Sequence, residues 1–143
     1  MGLRIGFTGS HEGMTGQQKE ALHDIPAQYI PNEFHHSDHV GADSDGHAIA
    51  REACPTSRVV VHPPRDVSRR GHLEADAQRP ARGRIARNRE IVGESDMLIA
   101  APGPNEDEQA SEIWSMIRFA WRHSVTVVVL NPEADGAKFE IVD

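Results

Sequence analysis

Three features predict an α/β chain: a doubly wound, mainly parallel sheet of five strands flanked by helices. Strand-like runs alternate with helical patterns along the whole sequence. The central runs, Val59-Val60-Val61 and Met97-Leu98-Ile99-Ala100-Ala101, are continuously apolar, as strands covered on both faces must be. Parallel neighbours then need right-handed crossovers, which gives an open, Rossmann-like architecture.

The elements follow in order. Leu3-Arg4-Ile5-Gly6-Phe7 reads as the first strand, broken by Thr8-Gly9-Ser10. A helix opens at Thr15 or Gly16 and runs on through Leu22; Thr15 followed by Gln18 has the spacing of a capping box. Glu33–His36 is the second strand, Gly41-Ala42-Asp43 a turn, and 43–54 a helix carrying Ala48, Ile49, Ala50 and Ala53. Arg58–His62 is the third strand, ended by Pro63-Pro64. Residues 65–83 read as loop, with Pro80 and Gly83 as breakers. A helix follows over 84–94, the fourth strand over 96–101, and a long helix over 106–122 after the loop Pro102-Gly103-Pro104. Ser124–Leu130 is the fifth strand, and the tail 138–142 reads as a short edge strand.

Bulk properties narrow the function. At 143 residues the chain reads as one domain, 1–143, with length enough for a core without staples. Its formal charge of -7 disfavours nonspecific binding to duplex nucleic acid, so nucleic acid is not an expected partner. A single cysteine, Cys54, excludes an internal disulfide framework and reads as a buried thiol. No stretch approaches the ~20 apolar residues of a membrane span, and the expected location is cytoplasmic, with no membrane partner.

Four constellations carry chemistry. Thr8-Gly9-Ser10-His11-Glu12-Gly13-Met14-Thr15-Gly16 joins a strand to a helix, where glycines and unpaired amides suit a phosphate; a flexible connector fits equally. It matches neither the dinucleotide fingerprint nor a Walker A loop. His35-His36-Ser37-Asp38-His39-Val40-Gly41-Ala42-Asp43 holds three histidines and two carboxylates, with His47 four residues beyond Asp43. A divalent metal is one reading. The more economical one has Asp43 capping the helix, Gly41 making the turn, and His36 and Asp38 lining a pocket, so no metal is expected. Third, eight of the thirteen arginines fall between Arg65 and Arg89 in an otherwise acidic chain. Guanidinium forks match phosphate, and pairing with Asp66, Glu74 and Asp76 is the plainer alternative. Fourth, Glu106-Asp107-Glu108 reads as an acidic first helical turn or as a partner for sugar hydroxyls. Trp114, Ile117 and Trp121 recur at helical spacing, as core or interface.

In combination these pieces resemble the SLOG superfamily, which includes DNA-processing protein A and the Lonely-guy-type phosphoribohydrolases, and more closely its small uncharacterised bacterial and phage branch. The matching stretches are Gly6–Ser10 with Gly13-Met14-Thr15, His35–Asp38 with Gly41-Ala42-Asp43 and His47, His62-Pro63-Pro64, Arg87–Val92, Asp96–Ala100, Trp114, Ile117–Ala120 and Val127-Val128-Val129, spread over 3–132. The resemblance implies a nucleotide or nucleotide-derived ligand at the carboxyl ends of the strands. It implies ligand contacts from Thr8, Gly9, Ser10, His36, Asp38, Gly41, Ala42, Asp43, Arg87, Asn88, Arg89, Pro102 and Gly103. It also implies a homodimer or higher homo-oligomer, for which Trp114, Phe119 and Trp121 offer apolar material.

The chain departs from that family where relatives carry Ser-Gly-Thr-Trp: here stand Ser111-Glu112-Ile113-Trp114. A phosphate is repelled by Glu112, and the threonine hydroxyl is missing. Pro102-Gly103-Pro104-Asn105 keeps little of the hydrolase signature. The expected function is therefore binding, as a sensor or sequestering module without a cofactor. The alternative is hydrolysis of an N-glycosidic bond in a nucleotide, with Glu112 or Asp38 as the catalytic carboxylate.

Overall fold

In the computed structural model, which describes residues 2–133 and 136–142, the elements are β1 (Arg4–Gly9), α1 (Gly16–Tyr29), β2 (Glu33–His36), α2 (Ala42–Ala53), β3 (Arg58–Val61), β4 (Ala77–Gln78), α3 (Arg84–Gly93), β5 (Met97–Ala101), α4 (Glu112–Arg122), β6 (Thr126–Leu130) and β7 (Phe139–Val142). A 3-10 turn covers Val67–Arg69. The strands form one sheet in the order β4-β3-β2-β1-β5-β6-β7. Every pairing is parallel except β6 with β7.

The described sheet has seven strands, not the five expected. β7 is the tail strand at the edge. β4 was hidden because two residues carry no periodicity; backbone bonds from Asp76 N to Val59 O and Arg79 N to Val61 O dock it on β3. The last helix also starts later than expected, at Glu112 rather than 106. Ser111 is its N-cap, its hydroxyl accepting from Trp114 N at 3.1 Å, while Asp107 accepts from Gln109 N and folds the acidic run into turns.

Period-two alternation sorts the strands into two cores. Ile5, Phe7, Phe34, Ile99, Ala101, Val128 and Leu130 face α1 and α2 with Leu22, Ile25 and Ala50. Leu98, Ala100 and Val127 face α3 and α4 with Ile91, Val92, Ile113, Met116 and Ile117. The expected capping box of α1 is present: Thr15 Oγ1 accepts from Gln18 N, and Gln18 Oε1 accepts from Thr15 N. The same fully buried Gln18 donates to Pro102 O and Leu130 O, tying α1 to the ends of β5 and β6. Cys54 is buried, and burial pushes its thiol pKa up.

From β1 the chain winds one way to β2 and β3, then returns across to β5 and β6. The sheet therefore reverses between β1 and β5, and a crevice opens where their carboxyl ends diverge.

Candidate ligand cleft

The loop leaving β1 is built by close backbone approach. Ser10 N donates to Ala101 O, and Ser10 O accepts from Ala42 N at 2.9 Å and Gly13 N at 3.1 Å. A Cβ on Gly9 would stand 2.5 Å from the Ala42 methyl. Gly41 has φ +89°, and a Cβ there would stand 2.2 Å from the His11 carbonyl oxygen. Both positions thus require glycine. Thr8, Gly9 and Ser10 line a cleft of about 230 Å³; Gly41 and Ala42 brace the loop from behind.

Across that cleft stand Arg87 and Asn88 of α3 and the first residue of α4, Glu112. Arg87 Nη2 and Asn88 Nδ2 both donate to Glu112 Oε1, at 3.0 and 3.1 Å. Arg87 is only 4% exposed, and its Nε has no hydrogen-bond partner among the described residues. Burial pulls its pKa down, opposed by the charges of Glu112 and Asp43. Asp43 lies on the cleft wall. It does not cap α2 as expected: its Oδ2 accepts from Ser37 Oγ at 2.6 Å and His39 N at 3.1 Å. Burial raises its pKa to about 6.

A larger cavity of about 600 Å³ adjoins this cleft, with Arg87 and Glu112 lining both. The two spaces differ in charge. The cleft carries Glu12, Asp43, Glu106 and Glu112 against Arg87. The larger cavity carries Arg65, Arg69, Arg82, Arg84 and Arg87 against Asp66 and Glu112. Arg69 pairs with Asp66 and Arg82 with Glu90, while Arg65 and Arg84 have no ion-pair partner among the described residues. His39, 4% exposed, lines the cavity with an Nε2 that has no partner among the described residues; its Nδ1 lies 2.8 Å from His11 Nε2. Burial first, then the nearby Arg87 charge, lowers the His39 pKa to about 4.

Other expected site residues lie elsewhere. Asp38 is fully buried, with φ +56°; its Oδ2 binds Arg70, its Oδ1 accepts from Leu73 N, and it holds the 70–73 segment rather than facing the cleft. His36 is fully buried under α2, its Nδ1 accepting from Asp38 N and its Nε2 3.1 Å from His47 Nδ1; burial lowers its pKa to about 3. Arg89 points to the far side of α3, its guanidinium 5.3 Å from the Phe119 ring centroid. Pro102 offers its carbonyl to Gln18 and lines another groove, near Leu130. Gly103 stays beside the loop, where a Cβ would lie 3.3 Å from Ser10 Oγ. The excess of arginine signalled the cavity, but the sequence did not single out Arg65 or His39 for it, nor Ser37 for the cleft. Of the acidic partners expected for that segment, Asp66 pairs with Arg69, whereas Asp76 and the Glu74 carbonyl take Arg51 from α2.

No family model and no curated protein matches the sequence. Solved structures do match its fold. A molybdenum cofactor binding protein from the phototrophic bacterium Rippkaea orientalis superposes with a TM-score of 0.70 at 20% identity, over 93% of this chain and 78% of that one. DNA processing protein A from Streptococcus pneumoniae gives 0.66 at 14% identity over 93% of this chain, which spans only 52% of that protein. A structural genomics target, TM1055, gives 0.51 at 14% identity over 70% of this chain and 60% of that one. The chain thus shares the Rossmann-like α/β fold of these structures. No described helix is long and apolar enough to cross a membrane.

Proposed function

We propose that the chain binds a nucleotide or nucleotide-derived ligand across the two adjoining spaces, as a sensor or sequestering module. The observation carrying this reading is the split of charge on either side of the Arg87–Glu112 pair. Carboxylates and backbone groups of the smaller cleft suit sugar hydroxyls, which donate hydrogen bonds. The arginine cavity suits phosphate, and its volume of about 600 Å³ falls within the roughly 300–1,000 Å³ usual for small-molecule sites. Arg84 and Arg65, without ion-pair partners among the described residues, are the cations a phosphate meets at least cost; Arg87 presents a buried Nε at the junction. Thr8, Gly9, Ser10, Asp43 and Asn88 then hold the nucleoside end. The likeness to a cofactor-binding protein supports only that this fold accommodates an organic ligand.

The hydrolase alternative draws less support. Asp38 has both oxygens engaged away from the cleft, and Glu112 is held by Arg87 and Asn88. A thermal-shift and calorimetric panel tests the reading. Nucleoside phosphates and ADP-ribose-type compounds should raise Tm where the free nucleosides do so weakly, and Arg84→Ala should weaken the phosphate-bearing ligands about tenfold, the scale of one lost charge-assisted contact. If no compound in the panel raises Tm, or Arg84→Ala with Arg65→Ala changes nothing, the reading fails. Self-association through α3 and α4, where Ile85 and Trp121 are exposed, belongs to the same proposal and is read by sedimentation.

A further inference from the structure

Away from the cleft, four groups form a chain of contacts beneath α3. Glu33 Oε1 lies 2.9 Å from His35 Nε2, His35 Nδ1 lies 2.8 Å from His62 Nε2, and His62 Nδ1 lies 2.7 Å from Glu90 Oε1. Both histidines are fully buried. Successive residues of β2 face opposite ways, so His36 turns to α2 while His35 turns to α3. Above them stand Glu90, near the end of α3, and Glu94, the C-cap of that helix.

Counting hydrogens exposes a deficit. Ionised carboxylates only accept, so His35 Nε2 and His62 Nδ1 must carry the imidazole protons. The nitrogens left over, His35 Nδ1 and His62 Nε2, then aim lone pairs at each other across 2.8 Å. A positive centre is needed between them. The far nitrogens are meanwhile anchored on carboxylates, which is how metal-binding imidazoles are oriented and made more basic. A third donor is in place: a Glu94 oxygen and one ring nitrogen from each of the two histidines all lie within 4.8 Å of one another. Arg79 binds the Glu94 carboxylate through Nε and Nη2 and fixes its orientation, leaving lone pairs on both oxygens.

We infer that His35, His62 and Glu94 bind a divalent first-row metal ion, Zn²⁺ by donor type, with Glu33 and Glu90 holding the imidazoles from behind. At Zn–N bonds of ~2.0–2.1 Å in tetrahedral geometry the two nitrogens stand about 3.3 Å apart, so the pair opens by roughly half an ångström. Glu94, with its side chain 28% exposed, gives the ion its way in, and water completes the fourth position.

The full chain, freed of metal by chelator dialysis, tests this in calorimetric titrations with Zn²⁺ and by visible absorption with Co²⁺. One ion per chain and the intense bands of four-coordinate Co²⁺ are expected. Glu33→Gln should weaken Zn²⁺ about 10-fold or more, the effect of an altered outer partner. Glu94→Gln should weaken it further and abolish the four-coordinate Co²⁺ spectrum; as a partly exposed position it carries the test even if His62→Gln fails to fold. Absence of saturable binding, or equal affinity in Glu33→Gln and Glu94→Gln, overturns the inference. So does nitrogen NMR showing a single proton shared by His35 and His62 that Zn²⁺ does not displace. None of these readouts depends on what occupies the cleft.

Discussion

The two halves of the sheet are built from different materials. On the β5–β6 side the buried residues are Leu98, Ile99, Ala100, Val127, Val128 and Leu130, with Ile113, Met116 and Ile117 above them. On the β2–β3 side the buried set includes His35, His36, Ser37, Asp38, His39, Asp43, His47 and His62. An aliphatic interior gains from every area it hides and asks only for shape. A polar interior loses hydration at each group and recovers it only by complete pairing. The first half is a scaffold. The second is held by a network in which few members can change alone, and the same segments carry the cleft and the histidine pair.

The largest effect separating the halves should come from Asp38. Its carboxylate takes Arg70 and Leu73 N, so Asp38→Ala strands a guanidinium whose side chain is only 17% exposed. Breaking a buried pair by removing one partner costs about 3–5 kcal/mol, and denaturant unfolding should show a loss of that size. A loss below about 1 kcal/mol would mean that water serves Arg70 as well as Asp38 does.

Acid should attack the polar half first. The pKa of His36 is about 3 and that of His39 about 4 in the fold, against an ordinary 6.5. A histidine with a depressed pKa gives stability that is intact above pH 6.5 and lost as pH falls toward the folded value. Asp43 works the other way: its folded pKa of about 6 favours the fold fully below the ordinary 3.8 and loses that gain as pH rises through 6. Between pH 6 and 4 His36 and His39 lose while Asp43 gains, and His35, His47 and His62, whose pKa values burial also lowers, add to the loss, so stability should fall by about 1 kcal/mol or more per pH unit. Asp43→Asn removes the one opposing gain and should steepen the slope by about 1 kcal/mol per pH unit in unfolding curves taken across that window.

The apolar half should respond to volume alone. Ile99→Val deletes one methylene from a fully buried site and should cost about 1 kcal/mol, with little dependence on pH.

This asymmetry also decides what the sequence could disclose. The aliphatic strands were legible because a run such as Met97–Ala101 has one physical meaning, and Thr15 with Gln18 had a local one. β4 was not legible, since two residues are too few to carry a periodic pattern. The start of α4 was misplaced because acidic residues suit a helix's first turn as well as the Asx turn that Asp107 makes. In the polar half the residue types were visible and their partners were not. Asp38, His36 and Arg89 had the right chemistry for a ligand, yet Arg70, His47 and Phe119, each distant in the sequence from its partner or on another element, claimed them. His35 gained its meaning from His62 and Glu94, whose approach depends on the order of strands and helices.

Glu112 is where the two halves meet, and it gives the finest comparison. It starts α4 of the aliphatic half and accepts from Arg87 and Asn88 at the edge of the cleft. Its carboxylate sits where the N-terminal amides of α4 and the Arg87 guanidinium both favour negative charge. An anionic ligand would seek the same ground, so Glu112 competes with it. Glu112→Gln keeps an oxygen for Arg87 and Asn88 while removing the charge. Each 1.36 kcal/mol of relieved repulsion is tenfold in affinity, and at a solvent-facing edge a fraction of that is expected. Nucleotide affinity should therefore rise roughly threefold while free nucleosides are unaffected, and raising salt should shrink the difference. An equal gain for nucleosides and nucleotides would place the phosphate away from Glu112. A loss of nucleotide affinity would make the carboxylate a direct ligand contact, with Arg87 serving only to hold it.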